Sequence, residues 1–332
     1  MLLRWRRETV MLETRAVLSP SVQEDTMTDR HLVVGAGPVG RHVAQLLAAR
    51  GSEVVVATRS GTDTGIDGVQ HLALDATDTD ALSAAASGSS VLYNCANPTD
   101  YTTWSALWPP LAASLLTAAE RSGAVLAVTG NLYPYGPVGA PMTESTPDTA
   151  TDTKGRLRAT MWADARAAHE AGRIRAVEVR GSDYVGTGVG DHGHVSRQVG
   201  TLRAGKRAWV LFDADQPHTF TDVLDMARLL VAAGADESAW GRVWHAPSAA
   251  PRTQRQALVD LARVGDLPEP KISVLRPRLV RTIGAVVPML KELADLSYQW
   301  TAPYVLDDAV SRAHFGLEPT PWDESMRRTL AG

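Results

Sequence analysis

Residues Gly35-Ala36-Gly37-Pro38-Val39-Gly40 have the spacing G-x-G-x-x-G. In that pattern the first glycine permits a tight turn and the second lets backbone approach a pyrophosphate. The third lets a helix pack closely on the preceding strand. The phosphate rests on the helix N-terminus, where unpaired N–H groups and the helix dipole favour an anion. Alone the pattern is weak; it gains weight when a strand precedes it and a helix follows. Arg59 lies nineteen positions beyond Gly40, in Ala57-Thr58-Arg59-Ser60, where an NAD site usually carries an acidic residue. A guanidinium there can hold a 2′-phosphate in a bidentate fork, helped by Thr58 or Ser60 and by Arg41. These residues point to NADP(H). If Arg59 is instead solvated or stacked on adenine, NAD is the alternative.

The elements around the turn supply its context. "HLVVGAG", "EVVVATR", "VLYNCAN", "AVLAVTGN" and "RAVEVR" are short apolar runs, as expected of strands buried on both faces. Val39, Val43, Leu46 and Leu47 recur at helical spacing, and Gly51 suits a helix C-cap. Further helices are expected at about 104–121 and 156–171. This alternation predicts an α/β fold, a doubly wound parallel sheet with a smaller C-terminal substrate lobe. The expected division is a dinucleotide-binding domain over 27–186 and a substrate lobe over 187–332, partly interleaved with the sheet.

Composition narrows the classes. The chain has 332 residues, of which 44% are hydrophobic, enough for a sizeable core, and its net charge of −4 gives no reason to expect nucleic acid. Its one cysteine, Cys95, allows no intramolecular disulfide and points to no oxidising compartment. No unbroken apolar stretch is long enough to span a membrane as a helix, so a soluble, cytoplasmic protein is expected. Residues 1–26 mix arginines with acids, and Glu8 and Glu13 interrupt any signal-peptide core. They read as a disordered extension preceding a natural start at Met27, a short targeting helix being the alternative.

Beyond the glycine turn, the order of motifs resembles the extended short-chain dehydrogenase/reductase superfamily, specifically the NAD-dependent epimerase/dehydratase family and its atypical members. The resemblance runs from about residue 31 to the C-terminus. "LDATD" is similar to the segment whose aspartate, Asp75 beside Ala76, approaches the adenine amine. "NCAN", ending in Ala96 and Asn97, resembles the loop lying along the cofactor. "VTGNLYPYGP", "VRGSDYVGTG", "HTFTDVLDMARLL" and the closing "FG…PTPW" follow in the family's order. The resemblance implies hydride transfer on a small carbonyl, hydroxyl or sugar-nucleotide substrate, and a homodimer formed through sheet-flanking helices.

The departures fall at the chemistry. The family uses a Ser or Thr to polarise the substrate oxygen and a Tyr-x-x-x-Lys pair to move the proton. Here the hydroxyl position is Asn131, the Tyr position Lys154 and the Lys position Arg158. Asn131 can still donate a hydrogen bond. Lys154, once buried beside the like charge of Arg158, would release a proton more readily; alternatively both face solvent or hold cofactor phosphate. Tyr133 and Tyr135 are further candidate donors, with Tyr184 a weaker one. No metal site is expected: Asp191, His192 and His194 share one glycine-rich loop without a distant partner. His218 is expected to bond to a backbone carbonyl, and Cys95 to pack as a small buried residue. Two readings stay open, an NAD(P)-dependent oxidoreductase or epimerase/dehydratase-like enzyme, and a non-catalytic NADP(H)-binding sensor or scaffold.

Overall fold

The computed structural model describes residues 29–98, 100–284 and 288–332. The segment 1–26 and Met27 lie outside these residues. Eleven strands are described: β1 (Arg30–Val34), β2 (Glu53–Thr58), β3 (Val69–Ala73), β4 (Val91–Asn94), β5 (Val125–Asn131), β6 (Arg175–Gly181), β7 (Asp183–Val185), β8 (Ala208–Leu211), β9 (Phe220–Asp222), β10 (Val243–His245) and β11 (Ile272–Leu275). Seven form one parallel sheet in the order β10-β6-β5-β4-β1-β2-β3. The order reverses between β1 and β4, and the crevice outside their C-terminal ends is where such sheets bind ligands. β7 pairs with β9, and β8 with β11, in two small parallel sheets. The strand β3, "VQHLA", escapes the sequence reading because its half-exposed edge position needs no continuous apolar run.

The helices follow from caps and periodicity. α1 (Pro38–Ala48) starts with proline at its first position and buries Val39, Val43, Ala44 and Leu47. α2 (Thr79–Ala86) is capped by Asp78. α3 (Trp104–Ser122) buries Trp104, Trp108, Leu111 and Leu115, and ends at left-handed Gly123. α4 (Thr153–Glu170) starts one turn earlier than expected, because the Asp152 carboxylate accepts the Gly155 N–H at 2.8 Å. That cap places Lys154 as well as Arg158 on the helix. After them come α5 (Val199–Arg203), α6 (Val223–Ala235), α7 (Gln254–Val264), α8 (Pro277–Gly284), α9 (Pro288–Asp295), α10 (Tyr298–Thr301), α11 (Ala309–Phe315) and α12 (Trp322–Ala331).

Two apolar layers sandwich the main sheet. One holds Val39, Val43 and Leu47 of α1 with Met226, Leu229 and Leu230 of α6. The other holds Leu82, Trp108, Leu115 and Trp162 from α2, α3 and α4. A third cluster joins Val210, Phe220, Leu258, Trp300 and Met326 from the C-terminal half of the chain. The chain after residue 187 also returns to the main sheet, giving it α6 on one face and β10 at one edge. Asp225, on α6, accepts hydrogen bonds from the backbone and hydroxyl of Thr320, fastening the "PTPW" segment to the sheet-covering helix.

Candidate functional site

The glycine turn is shaped by two contacts that tolerate no side chain. Gly35 has φ +101, and a Cβ there would stand 2.8 Å from the Cys95–Ala96 peptide. A Cβ on Gly40 would stand 2.0 Å from the Gly35 carbonyl oxygen. Gly37 differs: a Cβ there would meet nothing within 4 Å. It caps α1 without a side-chain hydrogen bond. The N–H groups of Val39 and Gly40 precede the first intrahelical bond, in which Arg41 N–H donates to the Gly37 carbonyl at 2.9 Å. Pro38 has no N–H to leave unpaired. The α1 N-terminus is therefore left open at the switch point of the sheet, the kind of helix end that suits an anion.

At the end of β2, Thr58 is half-buried and Arg59 exposed. Thr58 Oγ1 accepts the Thr62 N–H at 3.2 Å, and the Ser60 and Thr62 hydroxyls are 2.6 Å apart, which shapes the loop. Arg59 makes no hydrogen bond or ion pair among the described residues. Arg41 donates to the Thr64 carbonyl at 2.6 Å and so helps hold this loop. Asp75 lies close enough to Arg59 to sense its charge. The Thr77 N–H and hydroxyl, donating to Asp75 Oδ1 at 3.0 and 2.8 Å, hold that carboxyl below the usual range, and Arg59 adds to the effect. Ala76 and Ala96 are half-buried against the apolar layer, while Asn97 is exposed. The buried Asn94 side chain folds back to accept the Ala96 N–H at 3.3 Å, fixing the loop after β4. Cys95 packs beneath it, its thiol pushed up to about 12 by burial.

The expected catalytic pair separates. Lys154 and Arg158 are both buried, at 3% and 4% exposure, so neither is a solvated surface charge. Yet they do not act on each other as their spacing suggests. The Lys154 ammonium pairs with the Glu292 carboxylate of α9 and lies 3.3 Å from the Glu292 carbonyl. It also sits 5.6 Å from the centre of the Tyr101 ring. Arg158 turns the other way, donating to the Thr129 carbonyl at 2.6 Å with its guanidinium 4.6 Å over the Trp108 ring. Its Nε is buried without a partner among the described residues, and burial lowers its pKa against the opposing charge of Glu178. Asn131, at the end of β5, accepts the Tyr133 N–H on Oδ1 at 3.2 Å, which leaves its amide NH2 to donate.

The tyrosines part company too. Tyr135 is 1% exposed, and its hydroxyl meets His245 Nε2 at 2.7 Å. His245 Nδ1 faces the Asp307 carbonyl at 2.8 Å, so Nδ1 carries the proton and Nε2 accepts from Tyr135. With Arg180 stacked 4.6 Å over its ring, Tyr135 is a buried bolt of the core. Tyr184 also has burial holding its hydroxyl protonated. Tyr133 meets a residue that sequence reasoning misses: its hydroxyl is 2.8 Å from that of Tyr101. Burial raises both phenols, Tyr133 well above its ordinary value, so both stay protonated donors.

Beside this tyrosine pair is a group that the sequence offers only in pieces. Asp183 Oδ2 lies 2.7 Å from His218 Nε2, and His194 Nε2 is 3.6 Å from Asp183 Oδ1. His218 Nδ1 bonds the Gln299 carbonyl at 3.1 Å, as expected of that histidine. His194, in contrast, leaves the exposed loop of Asp191 and His192 and packs on Trp300 at 4.5 Å. No group of His, Cys, Asp and Glu able to hold a metal is found among the described residues.

Fold and turn together define a Rossmann-type nucleotide-binding protein. The family model for NAD-dependent epimerases and dehydratases matches residues 31–244, and the chain belongs to that family. No curated protein matches the sequence. Among solved structures, it is similar to the UDP-glucose 4-epimerase of Thermus thermophilus in complex with NAD (19% identity, 91% of this chain and 98% of that one, TM-score 0.73). It is also similar to the UDP-glucose 4-epimerase of Thermotoga maritima with UDP-glucose (16%, 91% and 97%, 0.74). A third is a double mutant of the dTDP-glucose 4,6-dehydratase of Streptomyces venezuelae with NAD bound (18%, 90% and 96%, 0.72).

Proposed function

We propose that the protein is an NADP(H)-dependent oxidoreductase of the atypical extended short-chain dehydrogenase type, acting on a carbonyl or hydroxyl group. The observation that carries the reading is the open α1 N-terminus at Gly37, bounded by Gly35 and Gly40, whose backbone accepts no side chain. Val39 and Gly40 N–H groups would hold the pyrophosphate. Asp75, Ala76, Ala96 and Asn97 would line the path of the adenine and ribose. Arg59, exposed beside Thr58 and unengaged among the described residues, would take the 2′-phosphate; a carboxylate at that position would repel it. When bound, the nicotinamide supplies or accepts a hydride. The Asn131 amide would orient the substrate oxygen by donating to it.

A second reading, a binding protein without turnover, draws support from Lys154 being engaged by Glu292. The two separate in one assay, in which NADPH-saturated protein is mixed with a panel of aldehydes, ketones and sugar nucleotides and cofactor absorbance is followed. Consumption of NADPH supports the enzyme. Folded, saturated protein that oxidises no NADPH with any of them contradicts the enzyme reading and leaves the binder.

A further inference from the structure

We propose that Asp183, with its proton held in common with His218, is the group that exchanges a proton with the substrate oxygen, and that the pocket beside it takes a compact uncharged ketone or secondary alcohol. The inference rests on the dinucleotide reading above and names the acid and substrate class for that same site.

The proton accounting comes from geometry. A carbonyl oxygen only accepts, so His218 Nδ1, 3.1 Å from the Gln299 carbonyl, carries a hydrogen. In a neutral ring Nε2 would then be a bare lone pair, yet it lies 2.7 Å from Asp183 Oδ2. Two acceptors do not approach so closely; a proton lies between them. His218 is fixed by Trp300, stacked at 3.7 Å between ring centres and 11° from parallel. On the other side, Arg197 donates to His194 Nδ1 at 2.6 Å, so the His194 hydrogen is on Nε2 and faces Asp183 Oδ1. Burial holds His194 neutral, down at about 3. Burial opposes ionisation of Asp183, but the two imidazoles and Arg197 outweigh it and hold that carboxyl below the usual range. Asp183 is thus a carboxylate with one oxygen on a proton store and a side chain that is still 20% exposed.

The pocket limits the substrate. Asp183 and His194 line a cavity of about 20 Å³ with Tyr101, Tyr133, Leu293 and Trp300, room for roughly one water before anything opens. Its lining includes a carboxylate and no lysine or arginine, which disfavours the diphosphate of a nucleotide sugar. The Tyr101–Tyr133 pair leaves one phenolic hydrogen to donate, since one hydroxyl donates to the other. An uncharged carbonyl with an apolar flank matches these walls in polarity, and the cavity must widen beyond its present one-water volume to admit it. In reduction, a bound reduced nicotinamide would supply a hydride to the carbonyl carbon, and the π pair would move to oxygen. That oxygen takes the proton held by Asp183 and His218, and solvent restores it. Oxidation of the alcohol runs these transfers in reverse.

The test uses the full-length protein with NADPH, whose binding is first measured by titration; failure to bind defeats the cofactor reading and is read there. With NADPH bound, cyclohexanone and acetophenone are the probes, and UDP-glucose is tested in parallel with NADP+ as hydride acceptor. Turnover of a ketone is expected, with Asp183→Asn lowering kcat about 100-fold or more while NADPH affinity changes less than twofold. Turnover of UDP-glucose alone, or of none of the probes, overturns the proposal, as does Asp183→Asn within threefold of the parent. Nitrogen-15 histidine spectra of the unsubstituted protein test it without any variant. A proton shared between His218 Nε2 and Asp183 supports it, and an unprotonated Nε2 facing an ionised carboxylate overturns it.

Discussion

Replacing Gly37 and Gly40 one at a time separates what the glycine turn does for the fold from what it does for a ligand. Both residues belong to one motif, but their surroundings are opposite. A Cβ on Gly40 would lie 2.0 Å from the Gly35 carbonyl oxygen, more than an ångström inside contact, and the obstruction is backbone. Gly40→Ala must push α1 from the sheet or distort Gly35, an overpacking cost of about 1–3 kcal/mol. Gly37 has φ −69, open to any residue, and nothing within 4 Å of its Cβ position. Gly37→Ala should lower stability by no more than about 1 kcal/mol, the scale of a weakened N-cap. Its methyl group, however, would occupy open space beside the helix end, where the proposed pyrophosphate approaches. Loss of one charge-assisted hydrogen bond from an N–H of that end to a pyrophosphate oxygen is worth about 1.5–3 kcal/mol, or roughly 10- to 150-fold in Kd. The assay pairs thermal unfolding with fluorescence titration by NADPH. Gly37→Ala is expected to keep its melting temperature within a few degrees and lose NADPH affinity. A Gly37→Ala protein that binds NADPH like the parent refutes the placement of the pyrophosphate.

Further outcomes follow from the same geometry. Arg59→Ala should weaken NADPH about 10-fold or more and leave NADH within twofold, because Arg59 has no protein partner to lose among the described residues; equal effects on both would remove Arg59 from the phosphate site. Tyr135→Phe leaves His245 Nε2 buried without its donor and should cost about 1–3 kcal/mol in denaturant unfolding. Its NADPH titration should be unchanged, and a selective loss of binding would move Tyr135 into the site. Acid should destabilise the protein before most carboxylates titrate. His194 and His245 are held neutral by burial, down at about 3 and about 4, against about 6.5 in an unfolded chain. Between those limits the unfolded state binds more protons, so stability falls as pH drops below about 6.5 and recovers as it rises. Urea midpoints measured from pH 7 to 4.5 should decline, and His245→Gln should flatten the decline; a flat parent profile contradicts the buried neutral histidines.

The contrast between what sequence shows and what it hides has a physical basis. The glycine turn, the flanking strands and the α1 core face are local: residues a few positions apart with period or steric demand suffice. The parallel, doubly wound sheet follows from their alternation. The acid–base geometry is not local. Lys154 finds Glu292 across 138 positions, and Asp183 finds His218 across 35. Lys154 and Arg158, neighbours on a helix face, read as an interacting pair in the sequence, but each finds a stronger partner through tertiary packing. Spacing alone places Asn131 and Tyr135, and only folding shows that Asn131 stays at the sheet edge while Tyr135 turns inward to His245. A signal for the His–Asp–His group does exist in "RGSDYVG", "DHGH" and "HTF", but nothing in linear order joins the three.

The role proposed for the open α1 N-terminus, with Arg59 beyond β2, is to hold a nicotinamide dinucleotide bearing a 2′-phosphate. Its most direct test is a pair of calorimetric titrations of the folded protein, one with NADPH and one with NADH. Saturable one-to-one binding of NADPH is expected, with at least tenfold preference over NADH. Tighter binding of NADH contradicts the role given to Arg59, and binding of neither contradicts the dinucleotide site itself.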